Sequence, residues 1–390
     1  MEVVNLRTLP QDKVEGIVND IANRLGKKDN AGNIVEPLEV PPNIFRYLRG
    51  MTAHSIQQAI IQSIVRTKKE DDPTKKNRIL PEYLLEYRRR QLQKTDLLSY
   101  IDTTQFSFGS IGGLDRIKTW ANKVKGAWTE EGEKFGLKIP RGILVVGVYG
   151  CGKSTLVKSL GSAWGVPVVT MSMSRLRGGL VGESEGNLRR ALNIIESVSP
   201  CIVFIDEAEK EFAGSNSGQN DAGVGARMLA MFSSWVQDSK AKVCFAMTAN
   251  SLEGFPPEVL NRLDDRFFVD LPSQEDRVDI LKIHLKNFGQ DPAKFQLAKL
   301  SNAAHLMVGR EIEQAVGAAM VESFHQKKEG LDETVLLSEL KRKPRIVNTM
   351  KDEIDKILNW VGYDPERDEG VRARFASDAN ADRFKVVASK

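Results

Sequence analysis

The sequence predicts an α/β fold: a five-stranded parallel sheet with helical segments before and after it. Five short apolar runs carry this: GILVVGV (142–148), VPVVTMSM (166–173), CIVFIDE (201–207), KVCFAMTAN (242–250) and RFFVDLP (266–272). Each is apolar along its length rather than at alternate positions, so both faces of each strand must be covered. Helical patterns separate them, and strands joined by helical crossovers pair in parallel.

The flanking elements come in chain order. VEGIVNDIANRL (14–25) is amphipathic, KKDNAGN (27–33) reads as a polar loop, and Pro37, Pro41 and Pro42 punctuate the next segment. A helical stretch is expected from about Asn43 to Thr67, then the solvated connector KKEDDPTKK (68–76). PEYLLEYRRRQLQKTDLLSYI (81–101) reads as a second helical stretch, and Gly109, Gly112 and Gly113 mark the entry to the sheet-forming region. Residues 273–343 are helical by period, and one helix, KDEIDKILNWV (351–361), precedes a polar end. MTAHSIQQAI (51–60) aligns without gaps to MVGREIEQAV (307–316) at a constant offset of 256. Either two amphipathic helices resemble each other because a helical face constrains residue type, or the match is a repeat and the N-terminal region is a second copy of the helical segment after the sheet.

Composition narrows the class. With 390 residues, 41% hydrophobic and 28% charged, the chain has room for two or three globular domains. The net charge of +4 names no partner. Residues 66–94 hold ten Lys/Arg against five Asp/Glu, which reads as a solvated face or as a contact for an acidic or nucleic-acid partner. Three cysteines and four histidines show no metal-ligand spacing, a reduced, intracellular pattern, and a cytoplasmic location is expected. The N-terminus is charged too early for a signal peptide, and no apolar run reaches the roughly 18–20 residues of a membrane span.

The chemistry is concentrated in GVYGCGKST (147–155), directly after the first apolar run. Its spacing is G-x-x-x-x-G-K-[ST]. Gly147, Val148, Tyr149, Gly150, Cys151 and Gly152 form a loop whose backbone N–H groups wrap phosphates. Lys153 adds a point charge for the outer phosphates, Ser154 a hydroxyl for Mg²⁺, and Thr155 is counted with the nucleotide-binding residues. A nucleoside triphosphate with Mg²⁺ is the ligand this pattern takes. The third run ends in Asp206 and Glu207, at the sheet edge where ligands bind. Asp206 can hold Mg²⁺ through water, and Glu207 can activate the attacking water. Asn250, at the end of the next run, can hold that water or the γ-phosphate. Arg262 and Arg266, in PPEVLNRLDDRFFVDLP (256–272), can stabilise phosphoryl charge across a subunit boundary or pair with Asp264, Asp265 or Asp270.

With these motifs the chain resembles the AAA+ ATPases, and among them the classical AAA clade. The resemblance runs from about Phe106 to Lys343 and adds SIGG (110–113), LVGESE (180–185) and ILKIHLK (280–286). It implies ATP as the nucleotide, and Ser110, Ile111, Gly112 and His284 as contacts to adenine and ribose. It implies an α/β core over 106–272, a helical lid over 273–345, a C-terminal helix and tail over 346–390, and an N-terminal helical domain over 1–105. It also implies a homo-oligomeric ring, usually a hexamer, with each active site at a subunit interface. A closer resemblance, through LRGMTAHSIQQAI, PCIVFIDEAEKEFAG and the tail TMKDEIDKILNWV, is to the AAA proteins known as hypothetical chloroplast reading frames of cyanobacteria and plastids. Those carry a degenerate ATPase module before the active one. Residues 1–105 are expected to keep only that module's lid.

The chain departs from the clade at four places. Val148-Tyr149 stands where two prolines are usual. Leu180 and Val181 form a first pore loop without its usual aromatic, which puts polypeptide threading in doubt. Arg175 and Arg177, nearby, read either as a contact for an acidic or nucleic-acid substrate or as ordinary surface charges. The finger loop is two residues shorter than the common form, which leaves Arg262 and Arg266 both open. Arg310, after Gly309, stands where alanine is usual, and other AAA+ clades have a phosphate-sensing arginine on that helix; capping or pairing with Glu311 or Glu313 is the alternative. The leading expectation is an ATP-hydrolysing ring that remodels a protein the sequence does not name. A nucleic-acid motor or loader and a slow nucleotide-gated assembly switch are the other readings. No zinc finger or RNA-recognition aromatic pair favours nucleic acid.

Overall fold

The structure, a computed structural model, describes residues 11–25, 27–28, 34–36, 38–41, 44–48, 53–67, 78–80, 82–84, 86–87, 90, 97–178, 182–212, 223–253, 255–364, 366–367 and 369–377. It divides into two units. One comprises Met1–Ile101, Gly165–Val203 and Asp238–Val243, the other Asp102–Trp164, Phe204–Gln237 and Cys244–Lys390.

Near the N-terminus, helices Gln11–Leu25, Ile44–Leu48 and Ala53–Thr67 bury Val14, Val18, Ile44, Leu48, Ile56 and Ile60 in one cluster with Ile79 and Leu84. The single helix expected from Asn43 to Thr67 is two, and Gly50, a poor helix former, stands between them in the sequence. Part of the basic segment is neutralised locally. Arg66 and Arg90 both pair with Glu86, and Arg78 lies 3.3 Å from Glu39. Arg66 beside Glu86 holds that carboxyl below its ordinary range.

The sheet has seven strands: β1 (Leu98–Ile101), β2 (Gly142–Gly147), β3 (Val168–Met171), β4 (Cys201–Ile205), β5 (Val243–Ala249), β6 (Asp265–Val269) and β7 (Arg374–Phe375), in the order β1-β3-β4-β5-β2-β6-β7. All five expected strands form. β2 pairs in parallel with β5 and β6, and Ile143–Val146 and Cys201–Val203 are fully buried, as two-sided coverage requires. Two strands are additional. LSYI, expected to end a helix, is β1, antiparallel to β3. Only Leu98 of its four residues is fully buried, as on a half-covered sheet edge. β7, in the expected polar end, pairs in parallel with β6. Trp120 packs on Trp164 and Phe267 at 5.9 and 4.9 Å between ring centroids, and Trp164 Nε1 donates to Ala121 O.

After the sheet, helices Gln274–Asn287, Leu297–Ala303, Gly309–His325 and Glu333–Arg342 form a bundle around Leu281, Leu285, Leu300, Ile312, Val316 and Leu336. The helix Lys351–Val361 comes next, as expected. Ser273 and Asp276 start the bundle with a reciprocal capping box. The sequence repeat extends to burial. Ile44, Leu48, Ile56, Ala59, Ile60 and Thr67 are buried, and so, at the offset of 256, are Leu300, Ala304, Ile312, Ala315, Val316 and Ser323.

Equivalent burial predicts equivalent cost. Ile56→Ala and Ile312→Ala should each lower stability by about 2–4 kcal/mol in urea unfolding. Ile61→Ala, at a position 41% exposed, should stay within about 0.5 kcal/mol. An Ile56→Ala loss no larger than that of Ile61→Ala would contradict the shared register.

Candidate active site

The loop after β2 is shaped by contact with β6. Val148 N donates to Val269 O at 3.0 Å, and a Cβ at Gly147 would lie 1.9 Å from that oxygen, so only glycine fits there. The loop then turns into the helix Lys153–Trp164, whose first side chain folds back beneath it. Lys153 Nζ donates to Gly147 O (2.9 Å), Val148 O (2.8 Å) and Asn250 Oδ1 (2.8 Å), so all three of its protons have acceptors. The side chain is buried. Desolvation lowers its pKa to about 8, against the pull of Cys151, Glu209, Asp206 and Glu207.

Asp206 and Glu207 leave the end of β4. Ser154 Oγ donates to Asp206 Oδ1 at 2.9 Å, and the Thr248 hydroxyl donates to the same oxygen. Thr248 Oγ1 in turn accepts from Glu207 N at 3.1 Å. That bond holds Glu207 in a left-handed backbone conformation, φ +48°. Its carboxylate faces Lys210 Nζ at 2.8 Å and Asn250 Nδ2 at 3.5 Å. Asn250 also donates through its backbone N (3.2 Å) and Nδ2 (3.3 Å) to the nearly buried Glu209. The Asn250 amide thus touches the lysine with its oxygen and the carboxylates with its nitrogen. The Ser154 hydroxyl and Asp206 carboxylate are adjacent hard oxygens, a donor set that fits Mg²⁺, which completes its shell with phosphate and water.

These groups open on a cavity of about 480 Å³. Gly150, Cys151, Gly152, Lys153, Ser154, Thr155, Asp206, Glu207 and Asn250 line it together with Ser110, Ile111, Gly112 and His284, and Tyr149, Gly309 and Arg310 complete the wall. His284 Nδ1 is shielded from solvent with no hydrogen-bond partner among the described residues, and burial lowers its pKa from 6.5, which favours the neutral ring at pH 7. Gly147 and Val148 act from behind the wall, through their carbonyls.

Not every expected residue converges here. Arg262 and Arg266 lie outside the lining. Arg266, on β6, donates to Leu260 O at 3.1 Å; Arg262 is exposed, and neither makes an ion pair among the described residues. The expected acidic partners are engaged elsewhere: Asp265 pairs with Arg374, Asp264 accepts from the backbone of Arg141 and Gly142, and Asp270 Oδ1 accepts from Leu271 N at 2.8 Å. Leu180 and Val181 lie outside the described residues. Glu209, Lys210 and Lys118 carry no motif that singles them out in the sequence. Lys118 Nζ donates to Ile111 O at 2.6 Å and braces the Ser110–Gly112 wall. Only the acidic run DEAEKE at a strand end hints at the first two.

The depressed pKa of Lys153 has a measurable consequence. Phosphate oxygens favour the charged ammonium, so binding raises the pKa again and takes up a proton. At pH 8, ATP binding should take up about half a proton, read from calorimetry in buffers of different ionisation enthalpy. Affinity should fall as pH rises above about 8. Lys153→Met should abolish the uptake, and unchanged uptake in that variant would assign it to another group.

Comparison with known proteins agrees with this geometry. The ATPase family associated with various cellular activities (AAA) matches residues 143–271. The AAA domain-containing protein ycf46 of Pyropia yezoensis is 33% identical over 364 residues, 93% of this chain and 71% of that protein. Its counterpart in Trieres chinensis is 31% identical over 88% of this chain and 68% of that protein. More distantly, the ATP-dependent zinc metalloprotease FtsH of Pirellula staleyi is 28% identical over 62% of this chain and 36% of that protein. Among the described residues no helix is long and apolar enough to cross a membrane. These extended likenesses establish that the chain belongs to the AAA ATPase family, as an ATP-hydrolysing member related to the ycf46 proteins.

Proposed function

We propose that the chain is the subunit of a cytoplasmic ATP-hydrolysing ring, a hexamer, that uses turnover to remodel a protein partner. One observation carries the reading: a single amide, Asn250, contacts both the phosphate-loop lysine and the acidic strand end. Binding and hydrolysis are thereby linked through one side chain. In this reading the loop 147–152 and Lys153 hold the phosphates, and the Ser110–Gly112 wall and His284 hold the nucleoside. Ser154 and Asp206 hold Mg²⁺, which neutralises charge on the outer phosphates when bound. Glu207 takes the proton of the attacking water, and Asn250 orients it.

Arg262 is the residue proposed to act on a neighbouring subunit's site, because it is exposed and makes no ion pair among the described residues, while Arg266 is held by Leu260 O. The likeness to FtsH supports ATP-driven work on protein. The domain reading is an N-terminal helical domain over 1–105, a core over 106–272, a lid over 273–345 and a tail over 346–390. Leu180 and Val181 lack a flat ring to grip polypeptide, which favours loosening of a complex over threading.

Three measurements test this. Glu207→Gln should lower kcat by about 10²–10⁴ while ATP still binds, and near-normal turnover would remove Glu207 from the role of base. Arg262→Ala subunits should bind ATP yet hydrolyse poorly. Mixing them with Lys153→Ala subunits should restore part of the activity, because some interfaces then join an intact arginine to an intact loop. No recovery in co-assembled mixtures would count against action across subunits. Stimulation by DNA or RNA, lost in Arg175→Ala/Arg177→Ala, would replace the protein partner with nucleic acid.

A further inference from the structure

We infer that Tyr149 is a positioning residue for Arg310: it tethers that guanidinium to the phosphate loop without neutralising it. The inference rests on the proposed reading of residues 147–152 and Lys153 as the group that holds the phosphates, and it takes up the expectation from the resemblance that Arg310 senses phosphate. Arg310 Nη1 donates to Tyr149 Oη at 3.0 Å, and its guanidinium carbon lies 5.9 Å from the centre of the Tyr149 ring. Both residues line the cavity.

The acidic alternatives for Arg310 are closed or unused. Glu311 accepts from the backbone N–H groups of Val308 (2.9 Å) and Ile346 (2.7 Å). Arg310 makes no ion pair with Glu313 or any other acid among the described residues. The choice of partner matters. A carboxylate would cancel the charge that an anionic ligand needs. A phenol oxygen and an aromatic face orient a guanidinium and leave its charge intact.

The tether is built into the backbone as well. Arg310 N donates to Gly150 O at 3.2 Å, which satisfies one of the unpaired N–H groups in the first turn of the helix Gly309–His325. A Cβ at Gly150 would stand 2.9 Å from Val308 Cγ2 and 3.4 Å from Arg310 Cβ, so loop and helix are already at contact distance. Tyr149 sits between Val148 and Gly150, and its ring moves with any loop rearrangement. A phosphate that reorders the loop therefore moves Arg310, and the helix behind it, in the same step.

The test compares ATP with ADP, because a residue with only a packing role would weaken both alike. Full-length protein with Mg²⁺ is titrated with fluorescent ATP and ADP analogues. Arg310→Ala should cut the preference for ATP over ADP by about three- to tenfold, the worth of a partly exposed hydrogen bond to a charged group. Tyr149→Ala should reproduce most of that loss, and Tyr149→Phe, which keeps the ring, a smaller part. The double variant should be no worse than Arg310→Ala alone. Additive losses, or an unchanged ATP preference in Tyr149→Ala and Tyr149→Phe, would overturn the positioning role and leave Arg310 standing. An unchanged preference in Arg310→Ala would overturn the phosphate-sensing reading and this inference with it.

Discussion

The site depends on one buried cation. An ammonium removed from water must find acceptors for its protons, and Lys153 finds them in two loop carbonyls and one side-chain amide. That demand fixes the path of the loop from inside. It also orients Asn250, since an amide that gives its oxygen to lysine must turn its nitrogen elsewhere. The nitrogen meets Glu207 and Glu209. Sheet register makes this feasible: Val146 lies opposite Ala249 in the parallel β2–β5 pair, so Gly147 and Asn250 leave the sheet at the same edge.

Around the cavity, cations are held mostly by uncharged oxygens. Lys153 donates to carbonyls and an amide, Arg310 to a phenol, and Lys118 to the carbonyl of Ile111. Such partners orient a charge and leave it available to an anion. Lys210 is the exception: its partner is Glu207 itself. The charges of Lys153 and Arg310 are therefore left free toward the side where phosphates are expected, while that of Lys210 is spent on the carboxylate proposed as base.

Short-range chemistry is the part readable from sequence. The phosphate loop, Asp206, Glu207 and Asn250 announce themselves by residue type and spacing, and the five apolar strands by their unbroken hydrophobicity. Groups that act through pairing across strands do not. Thr248 bridges Asp206 and Glu207 only because β5 delivers it there, and Glu209 is recognisable only once Asn250 reaches it. The same holds for strands β1 and β7, each of four residues or fewer and each defined by a distant partner. The helical repeat is readable because helix faces impose a period, and the buried positions keep it.

Glu207 occupies a left-handed backbone conformation that side chains other than glycine, asparagine and aspartate seldom adopt. A glutamate held there costs the fold on the order of 1 kcal/mol or more relative to a residue suited to that geometry. With Glu207 in its proposed role as base, stability and turnover pull position 207 in opposite directions. Selection for heat resistance alone would drift toward glycine at this residue and yield a sturdier protein that binds nucleotide and no longer cycles.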